Sequence, residues 1–179
     1  MSRILAGPWA GQLLGDYGAD VVKVERPGTG DDTRQWGPPW LGNESADFVC
    51  ANRNKRSLTV DITTASGQQV FRELAGAADV LLENFKVGTL GRYGLDSVDL
   101  LAANPRLFIC SISAFGQSGK RATQPGYDAM IQASGGLMSI TGPAEEEGGG
   151  PQKVGVAIAD IMAGMYATTA ILAALHARE

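Results

Sequence analysis

The strongest constraint on this fold is an alternation. Four short, nearly continuous apolar runs, "ADVVKVER" (19–26), "SLTVDI" (57–62), "DVLLEN" (79–84) and "LFICSIS" (107–113), are separated by stretches with a helical pattern. Runs of this length, rich in branched residues, read as strands covered on both faces. Among the stretches between them, "GPWAGQLLGDYG" carries Pro8 near its first turn. "TASGQQVFRELAGAA" opens on Thr64 or Ser66 as a cap and ends near Gly76, and "SVDLLAANP" stops before Pro105. Strands that alternate with helices pair in parallel through helical crossovers. The expected class is therefore α/β, a Rossmann-like, doubly wound parallel sheet with helices on both faces.

A further helix is expected from about Tyr127 to Met138, then an exposed loop containing "EEEGGG", then a last helix from about Ile161. The segment "VGVAIADIMAGMYATTAILAAL" (154–175) holds one charged side chain, Asp160. A helix that is apolar on every face must be covered, so burial in an oligomer or against a further segment is expected. A membrane span is the competing reading. Ala, Gly, Val and Thr partition weakly, and a central Asp costs about 2.5–3.5 kcal/mol on insertion scales, so no membrane association is expected. The chain opens on a helix without a preceding strand and runs out inside a helix without a glycine stop. We expect part of a larger domain.

Composition removes several function classes. A formal net charge of −4 disfavours a nucleic-acid binder, and the basic cluster "NRNKRS" (52–57) reads as a solvated turn. "PGTG" after the first strand is not a dinucleotide fingerprint, and no P-loop lysine follows a glycine run. Cys50 and Cys110 lie far apart and read as reduced, partly buried thiols, with no disulfide and no metal site. The sole histidine, His176, stands three residues from the end of the sequence, so no Ser-His-Asp triad, Cys-His pair or multi-histidine metal centre is expected within this chain. "MSRILAGPWAG" is too short in apolar core for a secretory signal. A cytoplasmic location is expected, with a mitochondrial one as the alternative.

In open α/β sheets, ligands bind beyond the carboxyl ends of the strands. Those ends carry Glu25-Arg26, Asp61 with Thr63, Asn84-Phe85, and Ser111 to Ala114. Guanidinium, amide, aromatic and hydroxyl groups together suit an anionic, nucleotide-like ligand, although each alone fits ordinary turn polarity. Asp160 has two compatible readings. It precedes a helical run, where Asp is a favoured cap. A helix amino terminus would also hold it ionised in a dry pocket, where a carboxylate is a competent nucleophile toward an activated acyl group.

Five motifs carry a resemblance: "LAGPWAGQLLGDYGADVVKVERPGTGDDTR", "NRNKRSLTVDI", "ADVLLENFKVGTLGRYGL", "GYDAMIQASGGLMSITG" and "VGVAIADIMAGMYATTAILAAL". In this order they make the chain similar to the family III CoA-transferases, which include formyl-CoA transferase, carnitine CoA-transferase and α-methylacyl-CoA racemase. "ERPGTGDDTRQWGPP", "NRNKRS" and "SGGLMSITGP" look closest to the succinate–hydroxymethylglutarate (glutarate) branch. The resemblance implies CoA exchange between carboxylic acids, such as succinate or glutarate, through an aspartyl-CoA thioester on Asp160. It places CoA contacts on Arg26, Val60, Thr63, Asn84, Phe85 and Arg92, with Tyr127 and Asp128 near the thioester. CoA or acyl-CoA is then a substrate, no cofactor is tightly bound, and the protein is an interlocked homodimer. Residues 1–179 correspond to the CoA-binding large domain without its first strand, and without the small domain and C-terminal part. Thr63 stands where the family often has lysine. "GYD" replaces the racemases' "GHD", so Tyr127 occupies the place of their histidine base and transfer is favoured over racemisation. A non-catalytic CoA-binding or dimerising fragment is the other alternative.

Overall fold

The computed structural model describes residues 1–179. Helix α1 (Ala6–Asp16) leads to strand β1 (Val21–Glu25), a small antiparallel hairpin of β2 (Trp40–Leu41) and β3 (Glu44–Ser45), and helix α2 (Ala46–Cys50). Strand β4 (Lys55–Thr59), helix α3 (Ala65–Ala77), strand β5 (Val80–Glu83), helix α4 (Ser97–Ala103) and strand β6 (Phe108–Ser111) follow. Helices α5 (Asp128–Ser134) and α6 (Ile158–Arg178) complete the chain.

The expected parallel pairing is present. β1 pairs with β4 from Val21–Lys55 to Glu25–Thr59, and β5 with β6 from Val80–Phe108 to Glu83–Ser111. The single sheet expected from the alternation does not form within this chain, because the two pairs are not hydrogen-bonded to each other. Residues 1–3 run between them instead. The Met1 ammonium donates to the Leu82 carbonyl at 2.7 Å, Lys23 Nζ to the Ser2 carbonyl at 3.1 Å, and the Arg3 amide to Asn84 Oδ1 at 2.9 Å.

Strand alternation divides β1 between two layers. Val24 joins Val60, Phe71, Ala75, Leu81, Leu95, Leu100 and Leu107 in one apolar core, with Val22 packed against it, so α3 and α4 lie on that face. Val21, Lys23 and Glu25 point the other way, where α1 lies; a Cβ on its Gly11 would meet Val21 Cγ1 at 3.8 Å. Helix α6 packs along α1 through Gly164, Ala167, Thr168 and Ile171. A Cβ on Gly164 would lie 2.7 Å from the Ala6 carbonyl oxygen and 3.2 Å from Trp9 Cβ, so only glycine permits this approach.

Local chemistry explains the element boundaries. The Thr64 hydroxyl accepts the Gly67 amide as the cap of α3, and Asp96 accepts the amides of Val98 and Asp99 for α4. Two expectations are corrected. β4 begins two residues earlier than the apolar run suggested and is largely solvent-exposed, not covered on both faces. Helix α6 begins at Ile158, three residues earlier than expected, which places Asp160 inside its first turn. The apolar outer face of α6 is left open in this chain, with Met162, Met165, Tyr166 and Leu172 exposed. Cys50 is exposed and Cys110 half-buried, and both are free thiols.

Candidate active site

A cavity of about 290 Å³ opens where the carboxyl ends of β5 and β6 meet the starts of α1, α5 and α6. Asn84 and Phe85 line it from beyond β5, Ile112 to Ala114 from beyond β6, Tyr127 from before α5, and Asp160 from α6. Its charged lining consists of Asp160, Arg3 and Lys86. Of the strand-end candidates, Asn84, Phe85, Ser113 and Ala114 line this cavity, and the structure brings Tyr127 and Asp160 to the same place.

Asp160 is half-buried, and its carboxylate makes no hydrogen bond or ion pair within the chain. Burial, followed by the neighbouring Asp128 charge, pushes its pKa up to about 6. The expectation of a capping Asp160 is corrected, and the amides of the helix start do not bind its carboxylate. The cap position of α6 is Ala157, which has no side-chain oxygen. The cap comes from another helix: Asp128 Oδ1 accepts the Ala159 amide at 2.7 Å and the Asp160 amide at 3.4 Å. Asp128 Oδ2 accepts Gln132 Nε2 at 2.6 Å, and the buried Gln132 returns its Oε1 to the Val154 amide at 2.8 Å. Asp128 thus stands behind the cavity as a helix cap and is not part of its lining. Near pH 7 a carboxyl with this pKa is still ionised by roughly ten to one.

The other sequence-derived candidates lie elsewhere. Val60 packs into the apolar core, 7% exposed. Arg26 is exposed and shares the Asp32 carboxylate with Arg3. Thr63 is exposed and tied by its amide and hydroxyl to Asp61 Oδ1 at 3.0 and 2.7 Å. Arg92 stands exposed on a short 3-10 turn, Leu90–Tyr93. These groups lie outside the cavity wall. Asn84 serves a second purpose, clamping Arg3 from both sides: it accepts the Arg3 amide at 2.9 Å and donates to the Arg3 carbonyl at 2.7 Å.

Sequence reasoning passed over Arg3, Lys86 and Gln132. Arg3 precedes Ile4, a branched residue with a left-handed backbone, φ +67°. The Ile4 amide is held by Asp31 Oδ1 at 3.1 Å, and Asp31 is itself ion-paired in the interior with Lys23 at 2.7 Å. Such strain persists only where surrounding contacts over-determine it. A lone Arg next to "ILAGP" carries no periodic signal that would have exposed this.

The model of the family described as CoA-transferase family III matches residues 1–179. The chain is 51% identical to a succinate–glutarate CoA-transferase of Agrobacterium fabrum, over 98% of this chain and 44% of that protein. It is 47% identical to the human succinyl-CoA:glutarate CoA-transferase, over 98% of this chain and 39% of that one. Among solved structures it superposes on a CAIB/BAIF family protein from Brucella suis with a TM-score of 0.94 at 51% identity, covering 99% of this chain and 47% of the other. The chain spans less than half the length of these relatives. With the match extending over all of its residues, the chain belongs to CoA-transferase family III.

Proposed function

We propose that the protein moves CoA between carboxylic acids, dicarboxylates such as succinate and glutarate among them, with Asp160 as the nucleophile. One observation carries this reading: a half-buried carboxylate without a partner faces a cavity that also holds two cations, two side-chain amides and two aromatic rings. A carboxylate attacking a thioester needs no histidine base, because no proton must be removed from it.

The steps balance without an added reagent. An Asp160 oxygen attacks the donor acyl carbon, the carbon–sulfur bond breaks, and CoA thiolate leaves a mixed anhydride. The thiolate then attacks the Asp160 carbonyl carbon, releasing the donor acid as carboxylate and leaving an aspartyl-CoA thioester. The acceptor carboxylate displaces CoA thiolate from that thioester to form a second anhydride. Attack of the thiolate on the acceptor acyl carbon releases acyl-CoA and restores the Asp160 carboxylate. Arg3 and Lys86 supply positive charge for the acids, which are anionic near pH 7. In this reading Arg26, Thr63 and Arg92 meet the phosphates of CoA outside the cavity, and Val60 contributes backbone only.

Relatives named for succinate and glutarate transfer support the choice of dicarboxylates. The open apolar face of α6 supports an interface between two copies in the intact protein. The two parallel pairs flanking residues 1–3 support their belonging to one doubly wound sheet. Two free thiols fit a reducing compartment, the cytosol or the mitochondrial matrix.

The test is a covalent one. Incubation of the intact protein with succinyl-CoA, followed by peptide mass analysis, is expected to reveal a CoA adduct on the Asp160 peptide. Asp160→Ala is expected to lose the adduct and at least about 10³-fold of the transfer rate. Retained turnover in that variant would refute the mechanism.

A further inference from the structure

We infer that Asp128 is the positioning residue of the reaction. Its carboxylate, delivered from α5, occupies the free amides of α6 and sets a negative charge beside Asp160, so that the nucleophile stays unbonded. This rests on the proposed role of Asp160.

The first-turn amides of a helix ordinarily stabilise an anion placed near them. Here the amides of Ala159 and Asp160 donate to Asp128 Oδ1. The Asp160 side chain therefore receives no hydrogen bond from them, although it sits on the same helical turn. Asp128 is itself fixed. Gln132, 2% exposed, binds its second oxygen and holds the approach to α6 through the Val154 amide and, at 3.4 Å, the Val156 carbonyl. This clamp joins α5 to the segment that leads into Asp160.

The other ionisable groups around Asp160 do not offset Asp128. Tyr127, Arg3 and Lys86 share its cavity, and Arg3 is paired with Asp32 at 2.5 Å. Helix α1 carries its one charged residue, Asp16, at the far end, bound to Arg53. Strand β6 contributes Cys110, whose thiol is raised by burial and by Glu83. No ion pair reaches Asp160, and the rise in its pKa follows burial first and Asp128 second. A more basic carboxylate is a better nucleophile and, near neutral pH, is still ionised.

The test is the pH dependence of adduct formation at Asp160 from succinyl-CoA in the intact protein. Asp128→Asn retains an oxygen for the α6 amides and removes the charge, but it turns an NH₂ group toward Gln132 Nε2. The double variant Asp128→Asn with Gln132→Glu restores an acceptor opposite that NH₂ and moves the charge one hydrogen bond away from Asp160. The acid limb is expected to shift to lower pH by about one unit in the single variant and by less in the double variant. The plateau rate is expected to fall roughly threefold in the single variant, because the carboxylate is less basic. An acid limb at the wild-type pH in the folded double variant would overturn the inference. Absence of an Asp160 adduct in the wild type at every pH would instead overturn the proposed reaction.

Discussion

Glu25, at the end of β1, and Asp160, in the first turn of α6, are both acids withdrawn from water, and the chain treats them in opposite ways. Burial alone pushes Glu25 upward. Hydrogen bonds from Arg34, the Asp31 amide and Ser57, with the Arg34 charge, outweigh it and hold the group at about 2. Arg34 grips both Glu25 oxygens at 2.9 and 2.8 Å, reaches Glu44 at 2.8 Å, and stacks 3.7 Å from the centre of the Phe48 ring. Asp160 receives no such partners, and the charge that acts on its titration is another acid, Asp128. A buried acid with every lone pair engaged fixes the structure; one left unsatisfied is chemically available.

Removing the partner of the satisfied acid should have the largest effect on stability. Arg34→Met leaves Glu25 buried without its cation and is expected to cost about 3 kcal/mol in urea unfolding at pH 7. The pH profile sharpens this. The folded pKa of Glu25 is depressed, so its contribution is present above about 4.5 and lost as pH falls toward 2. The variant should lose that acid dependence, and an unchanged profile would break the contrast.

Gly164→Leu comes next. It lies one turn beyond Asp160, and its side chain would meet the Ala6 carbonyl, so a loss of about 2 kcal/mol is expected from overpacking. Because α6 would move away from α1, adduct formation at Asp160 should fall with stability, while the Glu25-dependent acid profile persists.

Asp160→Asn carries the smallest effect and the opposite sign. The folded pKa of Asp160 is raised, so the stability it contributes is full below about 4 and is lost as pH rises through about 6. The neutral variant should therefore be more stable than wild type at pH 8, by about 1 kcal/mol after allowance for solvent screening. The gap should close between pH 6 and 4 in thermal melts. A less stable variant at pH 8 would show that Asp160 has a partner after all.

Much of this contrast could not be read in one dimension. The strands were legible because branched apolar runs are local, and β1, β5 and β6 fall within the runs that marked them. Thr64 and Pro105 fixed helix ends through chemistry confined to a few residues. The hairpin β2–β3 and α2 escaped notice, since "GPPWLGNESADFVC" is short and has no sustained period. In the site, Asn84, Phe85, Tyr127 and Asp160 converge because strand ends and helix starts share one edge. The cap on α6 was invisible because it bridges 31 residues, from Asp128 to Ala159, through a side chain that the local pattern assigns to the start of its own helix.

The left-handed turn at Ile4 has a consequence for how this edge of the cavity keeps its shape. A branched side chain in that conformation costs roughly 1–2 kcal/mol, which the Asn84 and Asp31 contacts must supply. Without those anchors, residues 3 and 4 would relax into an ordinary extended path and carry the Arg3 guanidinium with them. The position of one cation is thus maintained by a small standing tension in the main chain, renewed each time the protein folds.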